Sequence, residues 1–170
     1  MRMFGWGVGA TITFLLTARE LPRDGQRALV EAWLAKGGVT LTRMCPHCGG
    51  SDHGRPRTAD RQLSLAYADG LVTLAVADVP IGVDAELSGP APAPFADRQE
   101  WTRAEAILKL TGEGVRRDPA SVDPGEAWTT ELPAPPGYVA TLAARAEVEV
   151  SCRTGTVAEL DPPATAPAGP

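Results

Sequence analysis

The stretch GLVTLAVADVPIGVDAEL, residues 70–87, constrains the fold more than any other part of the chain. Side chains alternate faces along a strand, so a strand with one wet face shows alternating polar and apolar residues. Here Leu71 to Ala77 and Ile81 to Val83 carry only Thr73 as a polar residue. The stretch therefore reads as two buried strands joined by a tight turn near Asp78 to Pro80, a hairpin with no polar face until its acids. Those acids, Asp84 and Glu86, lie two residues apart and point the same way, with Val83 and Ala85 on the opposite face. Two carboxylates on one face repel. They are tolerated if both are solvated, if one keeps a proton, or if a cation sits between them.

The chain has 170 residues, 44% of them hydrophobic, enough for one domain or for two small halves sharing a core. Prolines crowd at Pro90 to Pro94, at Pro133 to Pro136 and in the tail, and the final DPPATAPAGP reads as a disordered extension. The opening MRMFGWGVGATITFLLTA has an apolar centre, but Gly5, Gly7, Gly9, Thr11 and Thr13 interrupt it. It reads as a first strand rather than a signal peptide. No run is long enough to span a bilayer, so no membrane association is expected. Three cysteines, two of them in a Cys-x-x-Cys spacing, make no secreted disulfide framework, and a reducing cytoplasm is the expected compartment.

The net charge of −5 is unevenly distributed. Residues 1–61 carry nine Lys/Arg against five Asp/Glu, and residues 62–170 carry seven against sixteen. A basic part beside an acidic part suits a site that grips a polyanion at one end and a metal at the other. The positive part is modest and lacks interleaved aromatics, which argues against nucleic acid.

Helical periodicity appears in QRALVEAWLA, with Ala28, Leu29, Ala32, Trp33 and Leu34 as apolar positions and Gly37-Gly38 as the stop. A polar loop runs from Arg43 to Asp60. A second helix, EWTRAEAILKLTG, has Trp101, Ile107 and Leu108 as anchors and Gly112 as its stop. Then GYVATLAARAEVEVSC reads as a second hairpin. The expected fold is thus α+β, with two tandem helix-plus-antiparallel-hairpin modules about an approximate two-fold axis. The expected boundaries are 1–87 for the first module, 88–100 for an extended Pro-rich connector, 101–152 for the second module and 153–170 for the tail. A monomer is expected.

On the second helix Glu105 and Lys109 lie four apart and share a face with Trp101. An isolated Glu and Lys at this spacing is an ordinary solvated pair worth tenths of a kcal/mol. Joined to an acid pair at the end of an apolar strand, it points to a polar site.

Taken together, IGVDAE and WTRAEAILKLTGEG resemble the signature of the 4'-phosphopantetheinyl transferases, a Gly-[IV]-Asp-x-Glu strand followed by a Trp-x-x-x-Glu-Ala-x-x-Lys helix. The upstream CPHCGGSDHGRP is similar to the Cys-x-x-Cys-Gly…His-Gly-Arg-Pro loop of many bacterial members of the pseudo-dimeric type, which activates peptide and polyketide synthases. The resemblance covers about Arg27 to Ala143. It implies Mg²⁺-dependent transfer of the phosphopantetheine arm of coenzyme A to a serine of an acyl or peptidyl carrier protein, releasing adenosine 3',5'-bisphosphate. By the same resemblance Asp84, Glu86 and Glu105 would hold Mg²⁺, and Glu105 would accept the serine proton. Lys109 would bind phosphate and steady the departing oxygen. Arg27 and Arg55 match positions near the nucleotide and its phosphates; as residues alone they also read as surface cations.

The chain departs from the family pattern in three places. Relatives commonly have Ser-His where this chain has Ala66-Tyr67, with the His reaching the 3'-phosphate of coenzyme A; Tyr67 offers a hydroxyl but no imidazolium charge. Ala104 stands where many relatives have Lys. Only Leu87 to Glu100 separate the two motifs, without the longer helical segment that helps to form the carrier groove. Two other readings belong to different classes: a non-catalytic relative that keeps binding alone, and a zinc-stapled scaffold with Cys45, Cys48 and His53 as ligands and His47 or Cys152 completing a tetrahedron.

Overall fold

The structure is a computed structural model and describes residues 9–45 and 47–164. The parts of the expected opening strand and tail that fall on residues 1–8 and 165–170 lie outside the described residues. In chain order the elements are β1 (Gly9–Leu16), α1 (Arg23–Lys36), β2 (Thr42–Arg43), β3 (Pro56–Arg57), β4 (Gln62–Ala68), β5 (Leu71–Ala77), β6 (Ile81–Leu87), α2 (Arg98–Thr111), β7 (Trp128–Glu131), β8 (Tyr138–Ala144) and β9 (Glu149–Gly155). Three single 3-10 turns lie between Gly114 and Glu126. The described chain is α+β, as expected.

Among the described residues the main strands form a four-stranded sheet in the order β4-β5-β1-β9 and a three-stranded sheet in the order β6-β8-β7. Both expected hairpins need correction. Leu71–Ala77 and Ile81–Leu87 do not pair with each other but enter different sheets, and so do Tyr138–Ala144 and Glu149–Gly155. The hairpins lie one strand earlier. β4 pairs with β5 across Asp69-Gly70, with Ala68 opposite Leu71, and β7 pairs with β8. Asp-Gly favours a two-residue hairpin turn because glycine accepts a left-handed conformation without steric cost, and Gly70 has φ 78°.

A pattern follows from this pairing. β1, α1, β4 and β5 form a strand, a helix and a hairpin whose second strand runs antiparallel to the first strand; β6, α2, β7 and β8 repeat that order. By hydrogen bonding β6 belongs with the second half. β9 then returns to lie parallel to β1.

The layers follow from side-chain alternation. On β6 Ile81, Val83 and Ala85 join Ala140, Leu142 and Ala144 of β8 against Ala10, Ile12 and Phe14 of β1 and Ala75 and Ala77 of β5, so the sheets pack face to face. The other face of the larger sheet, with Leu15, Leu63, Leu65, Val72, Leu74 and Val76, takes Val30, Trp33 and Leu34 of α1. The other face of the smaller sheet takes Ala106, Ile107 and Leu110 of α2 on Ala143. The order is helix, sheet, sheet, helix. Strands with cover on both sides need no polar face, which is why β5 reads apolar apart from the buried Thr73. Each large side chain sealed in these layers, such as Phe14 or Ile107, contributes roughly 1.5–3 kcal/mol relative to exposure.

Further differences from expectation have local causes. The buried stripe of α1 is Gln26, Val30, Trp33 and Leu34, while Ala28 and Ala32 are exposed. Gln26 belongs inside because its amide donates to Ala68 O at 2.8 Å and to Thr17 Oγ1 at 3.1 Å. The connector is not extended: Phe95 N donates to Pro92 O at 3.1 Å, and the Phe95 ring meets Trp101 edge-on at 5.3 Å. Asp97 then caps α2 by accepting from Glu100 N, and Gly112 ends it with φ 77°, as its sequence position suggests. The expected tail is ordered from Arg153 to Leu160, because Trp33 Nε1 donates to Leu160 O at 2.9 Å and Val157 and Leu160 pack on the α1 layer.

Candidate active site

β6 and α2 cross at Gly82. A Cβ there would lie 2.0 Å from Ala106 O and 2.5 Å from Leu110 N, so only glycine lets the helix backbone approach so closely. The next two residues on that face are Asp84 and Glu86, and the helix presents Trp101, Glu105 and Lys109 to them. Lys109 Nζ donates to Asp84 Oδ1 at 2.7 Å and to Val83 O at 3.0 Å. Trp101 Nε1 donates to Glu86 Oε1 at 3.4 Å, and Arg98 stands 3.9 Å from Glu86 Oε2. The tight glycine crossing thus brings the acid pair and the Glu…Lys pair into one site.

Burial dominates the electrostatics. Asp84 is 5% exposed, and desolvation raises its carboxyl above the ordinary range despite Lys109. Glu105 is raised by burial, then by the charges of Asp84 and Glu86, against the pull of Lys109. Glu86 is raised by burial and then by Asp84, opposed by Trp101 and Arg98. The three acids feel one another, and one ammonium does not satisfy them. Asp84 Oδ2 is buried without a hydrogen-bond partner, a cost that a further donor or a cation would remove.

The donors here are all carboxylate oxygens, a hard set that suits Mg²⁺ rather than a thiophilic metal. They do not converge on one point: among the described residues, the group whose donor atoms all lie within 4.8 Å of one another is Cys45, Cys48 and His53. Mg²⁺ is commonly held by one or two carboxylates with waters and substrate phosphates, so a closed cage of three is not required. In donor chemistry these carboxylates suit the ion, with water and phosphate needed to complete its shell.

A cleft of about 290 Å³ opens beside the start of α1, with Arg19 and Arg23 balanced by Glu20 and Asp69 among its lining residues, which also include Gln26 and Tyr67. Arg23 lies over the Tyr67 ring, 5.3 Å from its centre. The Tyr67 hydroxyl is buried without a partner, and burial pushes its pKa up. The charge of Arg23 is the last-ranked of the causes that act on the Asp84 carboxyl, and it lowers its pKa. At the sheet edges Ser64 Oγ of β4 accepts from Val83 N of β6 at 2.9 Å.

The expected cations are placed differently from one another. Arg27 pairs with Glu31 at 3.4 Å and donates to Asp52 O. Arg55 is half-buried and donates to Leu110 O at 3.5 Å and Ile81 O at 3.2 Å, binding the end of α2 to the start of β6; burial lowers its pKa. Ala104 is buried and lines a separate cleft of about 150 Å³ with Phe95, Arg103 and Ile107. Cys45, Cys48 and His53 cluster on the loop between β2 and β3, and backbone N–H groups of Cys48 and His47 draw the Cys45 thiol down to about 7. Neither His47 nor Cys152, which lies opposite Ile12 on β9, joins that cluster. Sequence reasoning missed Arg23 and Gly82. The Arg23/Arg27 spacing of four and the glycine inside an apolar strand were the available signals.

The chain matches no protein-family model, and no curated protein matches it in sequence. Among the described residues no helix is long and apolar enough to cross a membrane.

Proposed function

We propose that this chain is a 4'-phosphopantetheinyl transferase of the pseudo-dimeric type, acting on an acyl or peptidyl carrier protein with coenzyme A as donor and Mg²⁺ as cofactor. The observation that carries the reading is the assembly of Asp84, Glu86 and Glu105 with Lys109 across the Gly82 crossing. The strand-helix-hairpin order, present twice, supports two related halves. Bound Mg²⁺ would neutralise the pyrophosphate of coenzyme A, and Asp84, Glu86 and Glu105 would hold it.

The chain's own residues account for the rest of the chemistry. The serine oxygen of the carrier forms a bond to the phosphorus nearer the pantetheine arm. The bond from that phosphorus to the bridging oxygen breaks, and the oxygen leaves with adenosine 3',5'-bisphosphate. Glu105, whose raised pKa makes it a stronger base than an ordinary carboxylate, takes the serine proton. Lys109 has three donors, of which Asp84 and Val83 O use two; the third meets a phosphate oxygen. Arg19 and Arg23 supply guanidinium groups for the coenzyme's phosphates, in a cleft they share with Glu20, Asp69 and Tyr67.

Asp84→Ala tests the assignment: it should abolish metal-dependent transfer while circular dichroism stays native, and unchanged activity would refute the metal role of Asp84. A second reading, a relative that binds coenzyme A without transferring its arm, is favoured by Ala66-Tyr67 standing where the family has Ser-His. Coenzyme A binding without transfer would select it.

A further inference from the structure

We infer that the loop between β2 and β3 is a Cys2His site for one Zn²⁺ ion, with Cys45 Sγ, Cys48 Sγ and His53 Nε2 as ligands and an outside molecule such as water as the fourth. The inference does not rest on the transferase reading.

The three donor atoms all lie within 4.8 Å of one another. Cys48 Sγ and His53 Nε2 are 3.2 Å apart. Zinc bonds of about 2.3 Å to sulfur and 2.0–2.1 Å to nitrogen at a tetrahedral angle set such a pair about 3.6 Å apart, so the ion needs an opening of a few tenths of an ångström. The outer groups are also in place. Asp52 Oδ1 holds His53 Nδ1 at 2.7 Å, which leaves Nε2 for the metal and fixes the ring plane. Gly50 N points at Cys48 Sγ at 3.4 Å, and Cys45 N donates to Gly50 O at 2.8 Å, closing the turn around the sulfurs. Thiolate and imidazole together favour zinc over Mg²⁺ or Ca²⁺. Binding releases the two thiol protons to solvent, and no redox change is involved.

Hydrogen bonds, not a buried core, hold the loop in this shape. Among the described residues from Met44 to Arg55 none is buried, and Met44 is 69% exposed, so apolar packing does not order them. A disulfide would use Cys45 and Cys48 but would leave the Asp52-His53 pair without a role. The site also touches the rest of the molecule at two points. Asp52 O accepts from Arg27, and Arg55, two residues beyond His53, binds the end of α2 and the start of β6. An ion in the loop would hold both arginines in place.

The test is titration of reduced, chelator-stripped protein with Co²⁺ as a coloured stand-in for zinc. Expected are thiolate-to-cobalt charge-transfer bands and tetrahedral d–d bands saturating at one equivalent, bleached by Zn²⁺. Cys48→Ser and His53→Ala, each with native circular dichroism, should weaken or abolish the bands, and Asp52→Asn should weaken zinc binding about 10–100-fold. Absence of thiolate bands in the reduced wild-type protein would overturn the inference, as would bands that survive both ligand variants unchanged.

Discussion

Lys109 and Asp84 meet across the helix-strand crossing, ammonium to carboxylate at 2.7 Å, with Asp84 almost sealed from solvent and its second oxygen unpartnered. The pair sits beside two further carboxylates, Glu86 and Glu105, both pushed toward protonation. Burying these carboxylates carries a desolvation cost that one ammonium does not fully offset, and a bound divalent cation would offset more of it.

Gly82 should be intolerant of any side chain. Gly82→Ala puts a methyl 2.0 Å from Ala106 O, a backbone atom of a packed helix. The expected loss is roughly 1–3 kcal/mol or more, seen as a lower denaturant midpoint, because overpacking forces the helix away. A midpoint equal to that of the wild type would show that α2 does not pack as described.

In chelator, the contribution of the three acids to stability should fall as pH rises through the raised carboxyl range. Asp84, Glu86 and Glu105 all have folded values above their unfolded ones, with burial as the first cause. The folded state therefore binds their protons more tightly. Their contribution is fully present below the ordinary carboxylate pKa of about 4 and is lost as pH rises through the folded values. Glu105→Gln removes one such acid, so its melting temperature should decline less over that window. Mg²⁺ should raise the neutral-pH melting temperature of the wild type more than that of Glu105→Gln. Parallel profiles for the two proteins, with and without the ion, would contradict shared coupling.

The Tyr67 hydroxyl is buried without a protein partner, on a residue that lines the cleft bearing Arg19 and Arg23. If it meets a phosphate of coenzyme A, Tyr67→Phe should weaken coenzyme A binding about tenfold or more, since a hydrogen bond to a charged group contributes about 1.5–3 kcal/mol. Calorimetric titration reads this directly. Unchanged affinity would place the coenzyme elsewhere.

Much of the site was legible because it rests on local spacing. Asp84 and Glu86 share a strand face, Trp101, Glu105 and Lys109 share a helix face, and the structure brings these faces together. Strand pairing was harder to read, since it depends on partners distant in sequence. The apolar runs on either side of Asp78 to Pro80 look like one hairpin, yet the stronger turn signal was Asp69-Gly70, one strand earlier. Likewise GYVATLAARAEVEVSC reads as a hairpin, but β9 leaves to pair with β1 instead. Gln26 escaped because apolar periodicity does not count a polar residue whose hydrogen bonds are made inside. The Cys45, Cys48 and His53 cluster was suggested by spacing alone, whereas the support from Asp52 needed coordinates.

The most direct measurement is the intact mass of a panel of apo carrier proteins after incubation with this protein, coenzyme A and Mg²⁺, beside a chelated control. The account predicts that at least one carrier gains the mass of one phosphopantetheine group, that the gain needs the metal, and that it disappears in the Asp84→Ala variant. A panel with no gain in mass, from protein that is folded and saturated with coenzyme A and Mg²⁺, would contradict it.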